Sequence, residues 1–163
     1  MKKKPIRAIV VVADIHAGST KGLPPGFVNL EDTPIQQNPL QRWLWECWLR
    51  GQDFIRETMG SDPFALVLNG DLIEGVHHGT KEIISPEIGD HRKAAVEILA
   101  PFADLAAKTF VVRGTECHVG NQEIGIAEAL GAEINPESLA KNRTFDRLTL
   151  DVAGVRCVFR HHI

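Results

Sequence analysis

Four short stretches carry side chains that can hold or move charge: Asp14-Ile15-His16, Gly70-Asp71, Thr115-Glu116-Cys117-His118 and His161-His162. Residues two apart on an extended segment point to one side, so the Asp14 carboxylate and the His16 imidazole are expected to grip one ion. Carboxylates mixed with imidazoles suit Mn²⁺, Zn²⁺ or iron better than Mg²⁺ or Ca²⁺, which prefer all-oxygen shells. Asp71 arrives between the other groups, and a carboxylate can offer one oxygen to each of two ions. It is therefore the natural bridge. Two cations roughly 3.5–4 Å apart clamp the attacking and leaving oxygens of an in-line displacement. They also lower the pKa of a shared water, so that hydroxide forms near neutral pH.

Those groups can meet only if the elements before them are strands of one sheet. Ile6–Val12 is a continuous apolar run ending at Asp14, and it reads as a strand buried on both faces between helices. Open α/β sheets bind ligands at the carboxyl ends of their strands. A Pro/Gly-rich loop extends through Pro39 and has the length of a functional flap. Asn38-Pro39 then opens a helix to about Met59, with Asn38 as N-cap. Its apolar side is expected to be Trp43, Leu44, Cys47, Trp48, Gln52, Ile55 and Met59, with Trp45 off the stripe. Phe64–Asn69 is a second strand, and the intervening helix makes the pair parallel. A helix over about 90–107 contains Pro101, which should kink or split it. Thr109–Arg113 is a third strand, followed by a short helix from about Glu123 to Leu130 capped by Gly131. From Phe145 the period becomes two, giving a hairpin that turns at Ala153-Gly154.

The composition limits the classes of function. The chain has 163 residues and reads as a single domain with room for a real core. A net charge of −3 argues against a generic polyanion binder. Three widely spaced cysteines imply neither a disulfide framework nor a zinc knuckle, and a cytoplasmic location is expected. No segment is long enough to cross a membrane. The run after Met1-Lys2-Lys3-Lys4 is too short for a signal peptide.

Taken in order, Asp14-Ile15-His16, Gly70-Asp71 and Val111-Val112-Arg113-Gly114 resemble the motifs of the calcineurin-like metallophosphoesterases. The resemblance spans essentially the whole chain. It implies an α/β/β/α sandwich, two divalent metal ions (manganese first, zinc or iron as alternatives) and hydrolysis of a phosphomonoester or phosphodiester, nucleotides and nucleic-acid ends included. Carried over residue by residue, Asp14 and His16 are implied ligands of the first metal, and Asp71 is the implied bridge. The family's next stretch, Gly-Asn-His-Asp/Glu, is replaced here by Gly114-Thr115-Glu116-Cys117-His118. The expected repair is Glu116 as ligand of the second metal and His118 as general acid, with Thr115 an alternative ligand. His161 fits the family's later metal-binding histidine, with His162 as the alternative. The family's Gly-His-x-His stretch is absent, so the sandwich is expected to be incomplete at the C-terminus. The expectation is an N-terminal portion of a longer enzyme, with weakened metal binding when it stands alone.

Plainer readings apply to the remaining residues. His77 and His91 are expected at the surface, and His78 there or lining the substrate groove. Glu74 is expected either to orient a ligand or to start a helix. Asn69 makes a turn, and Cys117 is a small buried residue. The competing function class is a non-catalytic binding or scaffold domain. A nucleotide-binding Rossmann domain is disfavoured because no glycine-rich phosphate loop follows the first strand.

Overall fold

In the computed structural model of the protein, residues 4–24, 34 and 36–161 are described. Lys2 and Lys3 of the basic start, most of the Pro/Gly-rich segment and His162 lie outside the described residues. Strands β1 (Ala8–Val12), β2 (Phe64–Asn69), β3 (Lys108–Val112) and β4 (Thr144–Phe145) form a parallel sheet in that order. Helices α1 (Pro39–Met59), α2 (Ile88–Leu105), α3 (Glu116–Val119) and α4 (Gln122–Ala129) lie between the strands in sequence. Strands β5 (Leu148–Val152) and β6 (Val155–Phe159) form a separate antiparallel hairpin. The result is a mixed α/β fold with a parallel four-stranded sheet flanked by helices.

The pleat sorts the core into two layers, because successive side chains on a strand face opposite ways. Phe64, Leu66 and Leu68 of β2 and Val111 of β3 join Ala95, Ile98, Leu99 and Phe102 of α2 on the helical side. Ala65 and Val67, with Phe110 and Val112, face the other way, where Phe145, Leu148, Leu150 and Phe159 cover them. The hairpin thus seals one face by packing, while among the described residues β5 and β6 form ladder bonds with each other and not with the parallel sheet. Its turn fits expectation, since Ala153 (φ 50°) and Gly154 (φ 82°) both take the left-handed conformation of a type I′ turn.

Several expectations change. β1, expected to be buried on both faces, stands at the edge of the sheet, pairing among the described residues with β2 alone, and its Val11 is 50% exposed. The period-two stretch from Phe145 is two elements. Thr144–Phe145 extends the parallel sheet, and the chain turns at Asp146-Arg147 before β5. Pro101 does not split α2, which runs as one helix through it. On α1, Trp45 packs against the core and Trp43 is exposed. The true stripe is Gln41, Leu44, Trp45, Trp48, Gln52, Ile55 and Met59, in helical phase but begun by a buried glutamine. Gln41 is buried because its amide is used. Its Oε1 accepts the Asn38 N–H at 3.1 Å, and its Nε2 donates to the Ser19 carbonyl at 3.1 Å. The capping box therefore ties α1 to the loop that follows His16. His91 is fully buried, its Nε2 2.8 Å from the Ser85 carbonyl oxygen, and Cys117 is exposed. Among the described residues no helix is long and apolar enough to cross a membrane.

Candidate metal centre

The loops after β1 and β2 are fastened to each other beyond the sheet. The N–H groups of Asp14, His16 and Ala17 donate to the carbonyls of Gly70, Asp71 and Leu72 at 3.1, 3.1 and 3.2 Å, and the Glu74 N–H returns to Ala17 at 2.9 Å. This ladder fixes His16 beside Asp71. Asp14 (φ 55°), His16 (φ 43°) and Asp71 (φ 50°) all have left-handed backbones, which cost about 1–3 kcal/mol each and cluster at functional sites. Asp14 and His16, expected to grip one ion from an extended segment, instead stand on this bent backbone with 4.0 Å between Oδ1 and Nε2 and fall into different ligand sets. Gly70 and Gly114 allow the close approach. A Cβ at Gly70 would strike the His161 ring, and one at Gly114 would strike the Asp71 backbone and carboxylate.

Asp71 is the centre of the cluster. His161 Nε2 lies 3.1 Å from Asp71 Oδ2 and 4.0 Å from Asp14 Oδ1. His16 Nε2 is 4.0 Å from both Asp14 Oδ1 and Asp71 Oδ2. One ligand atom from each of Asp14, Asp71 and His161 falls within 4.8 Å of the others, and the same holds for His16, Asp71 and His118. Asp71 alone belongs to both sets, as a bridging ligand must.

The imidazoles are held from behind, as metal-ligating histidines are. His161 Nδ1 donates to the Asn69 carbonyl at 2.7 Å, and His118 Nδ1 to the Glu74 carbonyl at 2.9 Å. His16 Nδ1 sits 3.0 Å from Glu74 Oε2. Each ring therefore keeps Nε2 for the cluster. Glu74 also reaches His77, with 3.1 Å between Oε1 and Nε2. The expectation of Glu74 as an orienting partner fits this geometry. His77, expected at the surface, is half-buried and stands edge-on to the His118 ring at 4.3 Å.

Glu123 is the residue that sequence reasoning missed. It is 1% exposed and accepts the Leu72 N–H at 3.2 Å and the Gly114 N–H at 2.7 Å, clamping the loops after β2 and β3 together. Burial pushes its pKa up, and the neighbouring Asp71 charge adds to this, against the pull of the two N–H groups and His161. For Asp71 the balance is the reverse. Burial raises its pKa, but the Thr115 N–H (2.7 Å) and hydroxyl (3.0 Å), helped by His161 and His118, hold it below the ordinary carboxylate value. Burial lowers the pKa of His161. The Asn69 carbonyl and the Asp71 and Asp14 carboxylates more than compensate, so its pKa is raised.

Of the residues expected from the sequence, Asp14, His16, Asp71, His118 and His161 come together. Thr115 touches the cluster through Asp71. Glu116, expected as a ligand, is exposed and belongs to none of the ligand sets found among the described residues. The reason is local. α3 begins at Glu116 with Thr115 as N-cap, and one helical turn puts Thr115, His118 and Val119 on a common face. His78 is exposed with a left-handed backbone (φ 48°) and joins no ligand set. No protein-family model matches the chain, and no curated protein matches it.

Proposed function

We propose that this protein is a metal-dependent phosphoesterase whose centre is Asp71, and that its fold is the calcineurin-like α/β/β/α sandwich. The observation that carries the reading is the double membership of Asp71. It belongs to an Asp14–Asp71–His161 set and to a His16–Asp71–His118 set. The donor chemistry fits two divalent cations of the manganese, zinc or iron kind, since Asp14, Asp71 and His161 mix carboxylate with imidazole at one position and Asp71 and His16 do so at the other, with His118 beside it as the acid and not a ligand. Such a pair supplies charge neutralisation at phosphorus and an activated water.

The protein's own part is positioning and proton transfer. Asp71, held ionised by Thr115, would offer an oxygen to each of two ions. Asp14 and His161 would complete the first site and His16, its ring backed by Glu74, the second. His118 has Nδ1 committed to the Glu74 carbonyl, so Nε2 is the nitrogen that gives a proton to the departing oxygen. The scaffold reading draws on the exposure of Glu116, which leaves the second position with fewer carboxylates.

The test is hydrolysis of bis-(p-nitrophenyl) phosphate and of a phenyl phosphate ester at millimolar Mn²⁺. Asp71→Asn should lose activity on both substrates. His118→Ala should lose about 10²–10⁴-fold on the phenyl ester and far less on the activated one, which needs little help from an acid. Wild-type hydrolysis that ignores Mn²⁺, or an Asp71→Asn protein as active as wild type, would overturn the Asp71 metal centre, and no hydrolysis of either ester would leave the scaffold reading standing.

A further inference from the structure

Glu74, His77 and His118 form a third cluster, built on Glu74 Oε1 while Glu74 Oε2 faces His16. One ligand atom from each lies within 4.8 Å of the others. His77 Nε2 is 3.1 Å from Glu74 Oε1, and His118 Nδ1 is 4.0 Å from the same oxygen. Donors in a tetrahedral zinc shell, with bonds of 2.0–2.1 Å, stand about 3.4 Å apart, so the two measured edges bracket the required spacing. The three side chains are 14%, 19% and 21% exposed, sheltered but open enough for a water in a fourth position. The His77 and His118 rings are nearly perpendicular at 80°, an arrangement that lets both nitrogens approach one point without stacking. His77 Nδ1 is buried with no hydrogen-bond partner, so it is free to take the ring's proton when Nε2, now donating to Glu74, turns to an ion.

We propose that Glu74, His77 and His118 form a separate site for one zinc ion, and that filling it shuts off the Asp71 centre. Two imidazoles and one carboxylate with an open fourth position form a donor set that zinc accepts. Zinc also outranks manganese for such ligands. To bind there, His118 moves its proton from Nδ1 to Nε2 and gives up the Glu74 carbonyl, His77 moves its proton from Nε2 to the unpartnered Nδ1, and Glu74 turns its carboxylate from His16 toward the ion. His16 and His118 then lose the contacts that aim them at Asp71, while His161 keeps its own. The inhibitory consequence rests on the phosphoesterase reading, whereas the zinc site itself does not.

The experiment is equilibrium dialysis of the full chain against Zn²⁺ in excess Mn²⁺, repeated with Asp71→Asn, His77→Gln and His77→Ala. Wild type and Asp71→Asn should retain one zinc, and both His77 variants should bind it about tenfold or more weakly. Circular dichroism melts identify whichever His77 variant keeps the wild-type fold. Added zinc should suppress the Mn²⁺-supported hydrolysis of wild type, with correspondingly weaker suppression in the folded His77 variant. The proposal is overturned if folded His77 variants hold that zinc as tightly as wild type. It is equally overturned if Asp71→Asn loses the zinc, since the ion then belongs to the Asp71 cluster. Should no protein hydrolyse either ester, the inhibitory role falls with the phosphoesterase reading while the zinc count still decides the site.

Discussion

A carboxylate that serves two ion positions must stay ionised in a buried place. Asp71 meets this through Thr115, whose N–H and hydroxyl take one oxygen each. Thr115→Val removes the hydroxyl and keeps the shape. A hydrogen bond to a charged group is worth about 1.5–3 kcal/mol, so Mn²⁺ affinity should fall roughly tenfold to a hundredfold. Isothermal titration of the two proteins checks this, and unchanged affinity would show that Thr115 does not tune the bridge. Asp14, His16, Asp71 and His161 were legible because each follows an apolar run, and strand ends share a rim. Glu116 and His118 could not be ranked from sequence. Their order depends on the one-turn helix α3, and a four-residue helix leaves no periodicity to read.

Glu123 acts between elements, joining the loops after β2 and β3 from the first turn of α4. An amide there has a single acceptor oxygen, so Glu123→Gln strands one of the two N–H groups. The expected cost is about 1–3 kcal/mol, read from chemical unfolding. The pH dependence has a definite sign. The Glu123 pKa is raised, so its contribution is whole below its ordinary value of 4.5 and declines as pH rises through the folded value. The stability gap between wild type and Glu123→Gln should therefore narrow from acid toward neutral pH, and a widening gap would contradict the assignment. A lone glutamate at a helix start looks like any first-turn acid in sequence, because its two partners lie 51 and 9 residues away. The α1 stripe misled for a related reason. Gln41 is buried for its hydrogen bonds, and starting the stripe at an apolar residue shifted its phase onto Trp43.

At the scale of the whole molecule, the sheet has two differently built faces, and the centre depends on both. Asp14, His16, Asp71 and His118 follow elements of the parallel sheet, where backbone ladders fix their register. His161 follows β6, in a hairpin without ladder bonds to that sheet. It is placed by the packing of Leu148, Leu150 and Phe159 on β2 and β3, and by Asn69, whose Nδ2 donates to the Arg160 carbonyl at 3.3 Å. The period of two showed the hairpin in the sequence. Which face it covers was not legible, because that follows from the turn at Asp146-Arg147. Core truncation should therefore have different effects on the two sides. Leu148→Ala, at a site 3% exposed, and Ile98→Ala, at a site fully buried under the helices, should each cost about 2–5 kcal/mol. Only the first loosens the element that carries His161. With both variants kept folded at low temperature, Mn²⁺ titration should show weaker binding for Leu148→Ala and near-wild-type binding for Ile98→Ala. Equal losses would mean that metal affinity follows overall stability, and that the hairpin has no particular part in holding the ion between Asp14, Asp71 and His161.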